Sequence, residues 1–414
     1  MSILERLLKL SDDPDGMEKL YRQEPQAFRS VFQDALSKRP DSLLLQAWRA
    51  RFEYVPERAA TLRTFDLVLM VVLCLVAGSL YKIPAWTPVT ESAFFPRYVA
   101  LIPFGAMSFL TLYMKSRSRK AVGWFSLFCV SVSGYVFMFP SAWDNTFVLS
   151  CLYLPFFLWC AYGVIRLGDE WRSEKARIDY LRFFGEMFIH AGLFLVGGGV
   201  LVGLTFGLFE LLNLPTSWVL DYVALYGFAA IPVVAMWATD MYSAARRMVP
   251  LLARIFSPLL LLLIVSYMIA MALNIEELFQ ERSTLLQYNV LLLCVLGTAV
   301  FTLTGRREYG EQKIVKIVLT CMLSATLLLD VLGVVAIVWR MYEYDHGLTV
   351  NRLAVLGSNL LVFGNLAVMC KGCLKSWKGG GSLDAVERGL ARYLPAYSVW
   401  TAFMVFLVPW IYRY

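Results

Sequence analysis

Apolar positions along this chain gather into eleven long runs, at 65–82, 98–114, 121–140, 146–165, 183–209, 218–239, 255–274, 286–304, 315–339, 353–370 and 394–412. Polar and charged positions fill the gaps between runs and are frequent in the first 63 residues. Each run has roughly the length a helix needs to cross a ~30 Å hydrocarbon layer at 1.5 Å per residue. In lipid the backbone must satisfy its own hydrogen bonds, so unbroken apolar runs predict helices. The alternation expected of an outer-membrane barrel is not the pattern here. The expected fold class is all-α, a polytopic transmembrane bundle of eleven spans. It divides into a head at 1–63, four helices in 64–165, a basic linker at 166–182 and seven helices in 183–414.

The head follows a different pattern. Phe28, Val31, Phe32, Ala35 and Leu36 recur at helical spacing and define one apolar face. Ile3, Leu4, Leu7 and Leu8 make a shorter stripe, and Leu44, Leu45, Trp48 and Phe52 a third. Turn signals at Asp12-Asp13-Pro14-Asp15-Gly16 and Lys38-Arg39-Pro40-Asp41-Ser42 separate them. Asp41 is the expected N-cap of the helix carrying Trp48. A segment of this size forms a marginal core alone, so three readings are kept. It is a small helical cap packed on itself and on inner loops, a docking surface for a cytosolic protein, or, at 1–10, an interfacial helix on lipid.

Charge orients the spans. With the N-terminus inside, the inner loops, together with Lys316 at a helix entrance, carry 21 Lys and Arg, against six on the outward side. Basic residues gather on the cytoplasmic side, so the expected topology has the N-terminus cytoplasmic and the C-terminus outside. The net charge of +7 then belongs to a collar facing anionic lipid, and no nucleic-acid partner is expected. Residues 1–20 hold five acidic residues and no apolar core of a cleavable signal, so the first span is the expected insertion signal.

Composition strengthens this reading. Residues of the AVILMFWYC set make up 59% of the 414, charged residues only 17%, and there are two histidines. Mean hydropathy is +0.61. Those values exclude disorder, a fibre or a disulfide scaffold, and they argue against a large aqueous catalytic domain. The eight cysteines fall in spans or at their inner ends, away from any outer disulfide framework. Cys370 and Cys373 form a lone CxxC, too few ligands for a tetrahedral zinc site. No catalytic constellation, cofactor or metal centre is expected.

The most informative residue is Asp330, centred in Leu327-Leu328-Leu329-Asp330-Val331-Leu332. A charged side chain at that depth costs at least ~2.5 kcal/mol, so it should face a partner or water. It is either a proton or cation site or a hydrogen-bonded helix contact. Asn359 and Asn365 in the next span are its expected partners. Glu186 and His190, at i and i+4 near the inner boundary, form a secondary candidate, since a carboxylate beside an imidazole can relay a proton. Gly199, Gly203 and Gly207 form overlapping GxxxG spacings, expected to let another helix approach closely.

After the ninth run the chain reads Tyr342-Glu343-Tyr344-Asp345-His346-Gly347-Leu348-Thr349-Val350-Asn351-Arg352. Gly347 suits a helix end and Thr349 the N-cap of the next helix. The Gly347-Leu348-Thr349-x-Asn351-Arg352 string between hydrophobic spans resembles a bacterial multi-spanning family known as domain of unknown function 4153, which often has Tyr where His346 stands. The resemblance implies bacterial origin and a cytoplasmic-membrane location, and no mechanism. Two functions are expected from the residues: an ion-coupled permease using Asp330, Asn359 and Asn365, or a non-catalytic scaffold, assembly or signalling component acting through the head.

Overall fold

The computed structural model describes residues 3–53, 64–115, 118–139, 145–211, 215–241, 248–273, 292–300, 302–303, 313–343, 349–379 and 383–412. The chain divides into two compact units, Met1–Leu62 and Arg63–Tyr414. Among the described residues there is no strand.

Among its described residues the first unit holds four helices: α1 (Ile3–Lys9), α2 (Pro14–Gln23), α3 (Pro25–Lys38) and α4 (Leu43–Glu53). Leu7, Met17, Leu20, Phe28, Phe32, Ala35, Leu45 and Trp48 close its core. Burying each of the larger side chains stabilises by about 1.5–3 kcal/mol. Tyr21, Phe28 and Trp48 meet there edge-on and tilted, with centroids 5.0–5.5 Å apart. The sequence reading took 12–16 for a turn between two stripes and missed α2. Asp13 in fact caps it, accepting from the Gly16 amide at 3.1 Å, and Pro14 fills the first helical position. The cap of α4 is also corrected: Ser42 accepts from the Leu45 amide at 3.3 Å, in the place expected of Asp41. Outside the core, Glu18 accepts from Arg51 at 2.7 Å and Arg22 at 2.9 Å. The Arg51 guanidinium first, and Arg22 after it, hold its carboxyl below the ordinary 4.5.

The second unit begins with α5 (Thr64–Tyr81) and the short α6 (Ile83–Trp86) and α7 (Glu91–Tyr98). It continues with α8 (Leu101–Met114), α9 (Arg119–Phe137), α10 (Asn145–Leu167), α11 (Glu174–Leu211), α12 (Leu225–Met241) and α13 (Met248–Leu273). After a helical stretch at 292–300 come α14 (Lys313–Glu343), α15 (Val350–Gly379) and α16 (Asp384–Ala402). A π-helical turn at Phe403–Leu407 carries α16 on to Ile411.

Eight helices among the described residues are long and apolar enough to cross a membrane. Phe65–Tyr81 and Ser257–Ile269 are shorter apolar helices. Each of the eleven predicted runs is helical over most of its described residues, and the run at 286–304 is described only in part. The exposed surfaces of these helices are Leu, Val, Phe and Trp, as lipid-facing helices require. The chain is an all-α membrane protein.

The expected linker at 166–182 is mostly helical. Gly168, at φ 59, ends α10 in a conformation that favours glycine, a 3-10 turn follows, and Glu174 opens α11. Arg177 donates to the carbonyls of Trp171 (2.8 Å) and Ala391 (3.2 Å), and Arg392 pairs with Glu174 at 2.6 Å. This basic stretch is therefore tied to the middle of α16.

Two main cores organise the unit. One joins α5, α8, α10, α11 and α12 around Met107, Leu110, Tyr162, Val233 and Met236. The other joins α13, the 292–303 segment, α14, α15 and α16 around Ile264, Leu292, Leu323, Leu366 and Leu390. Trp159 of α10 packs against both.

Candidate intramembrane polar site

α14 and α15 are packed antiparallel neighbours. Their register is set by Ser324, whose hydroxyl lies 3.3 Å from the Cys370 sulfur, and by Thr320, which reaches Cys373. Six residues on from Ser324 is Asp330, and six back from Cys370 is Gly364. At 1.5 Å per residue, Asp330 therefore stands level with Gly364 and Asn365. Asn359 lies six residues from Asn365, about 9 Å along the same helix.

All three predicted residues are enclosed: Asp330 and Asn365 are 0% exposed and Asn359 2%. Asn365 donates through Nδ2 to the Tyr397 hydroxyl on α16 at 3.0 Å. Tyr397 also lies within electrostatic reach of Asp330. The structure thus gathers Asp330, Asn365 and Tyr397 from three helices and sets Asn359 nearly two turns apart from them. Among the described residues, Asn365 Oδ1 and Asn359 Nδ2 have no hydrogen-bond partner. Thr326, one turn before Asp330 and fully buried, donates to the Met322 carbonyl at 2.7 Å.

Sequence reasoning missed Tyr397 and the seam that brings it in. Gly357 faces the Trp400 ring, Gly364 the Tyr393 hydroxyl, and Gly372 the Val386 side chain, while Gly389 of α16 faces Val368. Partner numbers fall on α16 as they rise on α15, so the pair is antiparallel and the glycines are notches that seat large side chains. The signal was present as glycines seven and eight residues apart along α15. Beside the seam, Ser358 is held by Tyr153 (2.6 Å) and accepts from Trp400 Nε1 (3.0 Å).

The other candidates fall elsewhere. Glu186 is 4% exposed on α11. His190 Nδ1 lies 2.9 Å from the Thr239 hydroxyl of α12, and that hydroxyl donates to the Ala235 carbonyl at 2.7 Å. With its one hydrogen used there, Thr239 accepts, so the imidazole carries its proton on Nδ1. Gly199, Gly203 and Gly207 have open space where a side chain would project, so no described residue makes the close approach expected of them. Thr349 accepts from the Arg352 amide at 3.4 Å and caps α15 as the sequence suggested. Asn351 lies in the first turn, and Gly347 and Leu348 lie outside the described residues.

The boundary carboxylates are engaged: Asp240 with Arg166, Asp221 with Lys82 at 3.8 Å, and Asp66 with Tyr113 at 3.3 Å. Cys370 and Cys373 are buried thiols in the α14–α15 interface. Among the described residues no His, Cys, Asp and Glu gather into a group able to hold a metal. Two cavities stand out, one an open groove of Val72, Leu75, Val76, Ser79, Leu80, Ile83 and Trp86, the other between α8, α9 and α10; neither touches Asp330.

This architecture defines the class: a helical membrane protein with an enclosed polar cluster in its second core. No family model matches the chain, and neither a curated protein nor a solved structure does.

Proposed function

We propose that this chain is an ion-coupled permease of a bacterial cytoplasmic membrane. It crosses the membrane eleven times, with the N-terminus cytoplasmic and the C-terminus outside, and belongs with the multi-spanning family its Gly347-Leu348-Thr349-x-Asn351-Arg352 string resembles. The observation that carries the transport reading is the enclosure of Asp330 level with Asn365 and near Tyr397, on three separate helices. A carboxylate at that depth must be neutralised by a proton, a cation or a partner group, and such residues mark ion pathways. The test is flux in proteoliposomes. Asp330→Asn should reduce ion-coupled uptake by about tenfold or more, the loss expected when a buried charged contact is removed. Unchanged uptake would remove the reading.

A second reading is favoured by the compact first unit. There the chain is a non-catalytic scaffold, assembly or signalling component whose residues 1–63 hold a cytosolic protein. Deleting that segment and measuring which proteins co-purify is the test. Loss of a specific partner supports this version, and retention of all partners removes it.

A further inference from the structure

We propose that Arg177 latches a proline hinge in α16 and couples it to the 3-10 turn at Gly168–Arg172, so that a change in that turn reaches the contact between Asn365 and Tyr397. The inference rests on the packing around α16 and holds under either reading of function.

Pro395 lies inside α16, four residues after Ala391. A proline has no amide hydrogen, and its ring crowds the carbonyl four residues back, so the Ala391 carbonyl loses its ordinary helical donor. Ala391 is buried, where a carbonyl left without a donor is costly. Arg177 of α11 supplies the donor: its Nη1 reaches the Ala391 oxygen at 3.2 Å. Its Nε donates to the Trp171 carbonyl, inside the 3-10 turn, at 2.8 Å. One guanidinium therefore bridges the turn and the hinge. Its planar, rigid fork passes a displacement of one carbonyl on to the other. The neighbouring pair of Arg392 with Glu174 is largely exposed and adds little.

The hinge divides the seam with α15. Before Pro395, Val386 packs at Gly372, Gly389 at Val368 and Tyr393 at Gly364. Beyond it, hydrogen bonds of 3.0 Å join the helices, from Asn365 to Tyr397 and from Trp400 to Ser358. That far half is also the more deformable one. The Ser398 hydroxyl donates to the Leu394 carbonyl, and that of Thr401 to the Tyr397 and Ser398 carbonyls, back-bonds of the kind that bend helices. The π-helical turn at Phe403–Leu407 follows directly. With Arg177 in place the kink is fixed and Tyr397 meets Asn365. When the turn shifts and draws Arg177 away, the Ala391 carbonyl loses its donor, the kink is released and the far half moves off α15.

The experiment is hydrogen exchange read by mass spectrometry on the purified full-length chain in detergent, on either side of Pro395. Arg177→Met should quicken exchange at 396–402 by about tenfold or more, the effect of losing a charge-assisted hydrogen bond, and change 384–390 less. Arg177→Lys, which keeps a donor, should fall between Arg177→Met and the natural chain. Pro395→Ala returns an amide hydrogen to the Ala391 carbonyl, so in that background Arg177→Met should have little effect. Gly168→Val, unsuited to a φ of 59, should quicken exchange at 396–402 in the natural chain but not in Arg177→Met. Unchanged exchange at 396–402 in Arg177→Met overturns the latch, as does an equal effect of that substitution with and without Pro395. A Gly168→Val effect that persists without Arg177 overturns the coupling to the turn. Should Arg177→Met fail to fold, Arg177→Lys with and without Pro395→Ala makes the same comparison. Flux that depends on Asp330 tests the permease separately and is independent of these outcomes.

Discussion

Gly357 has no room for even a methyl group: a Cβ there would run into the Trp400 ring. Gly357→Ala should therefore push Trp400 off Ser358 and cost about 1–3 kcal/mol, as overpacking does. Thermal unfolding in detergent measures it, and a second substitution, Trp400→Leu, should recover most of the loss. Tyr397→Phe should cost about as much, since it leaves the Asn365 Nδ2 donor buried without its acceptor. At this scale Asp330 was legible, because a carboxylate inside a leucine run violates the local pattern. Tyr397 was not, because a tyrosine in an apolar run violates nothing. Its role comes from Asn365, which lies 32 residues earlier in the chain.

Single elements differ in how firmly they are held. α10 is tied to α12 by Arg166, whose guanidinium forks onto Asp240 and lies 3.2 Å above the Phe183 ring of α11. Arg166→Ala should cost about 1–3 kcal/mol, between the values of exposed and fully buried pairs. Asp240→Asn, which keeps a hydrogen-bonding oxygen, should cost less in the same unfolding measurement. α11 contrasts along its own length. Its first turns bury Tyr180, Leu181, Phe183 and Met187, while Val196, Val200, Leu201 and Leu204 beyond them are exposed. Gly199→Ala and Gly203→Ala should therefore leave the chain's own stability unchanged or raise it by up to ~1 kcal/mol, the helix preference of alanine over glycine. A clear loss of stability in purified monomer would contradict the open space there. The existence of these helices was readable from hydrophobic length. The missing α2 was also readable, from Asp13-Pro14 followed by Met17, Leu20 and Tyr21, but its turn residues masked its short apolar face.

For the molecule as a whole, pH and topology give the tests. Glu18 has a folded-state affinity for protons below its unfolded one, because Arg51 and Arg22 favour the carboxylate. Its contribution is complete above pH 4.5 and is lost as pH falls through the lower folded value. Amide protection factors across 14–53, corrected for the intrinsic slowing of exchange in acid, should therefore fall as pH is lowered, and Glu18→Gln should show less of that acid dependence. Reporter tags on the two termini should appear on opposite sides of the membrane if the chain crosses an odd number of times. Tags in one compartment would remove the eleven-span threading and with it the sidedness of every loop.

The sequence by itself determined that the chain is helical and built for lipid, since burial of backbone polar groups leaves a long apolar run few other conformations. It also marked the one carboxylate that lipid would not tolerate alone. Only the tertiary structure decided which polar groups meet: Asp330 level with Asn365, Tyr397 between α15 and α16, and glycine notches on α15 rather than a contact at Gly199, Gly203 and Gly207. The physical reason is that helix formation is local, whereas rotation and register depend on how side chains from distant segments fill one another's gaps.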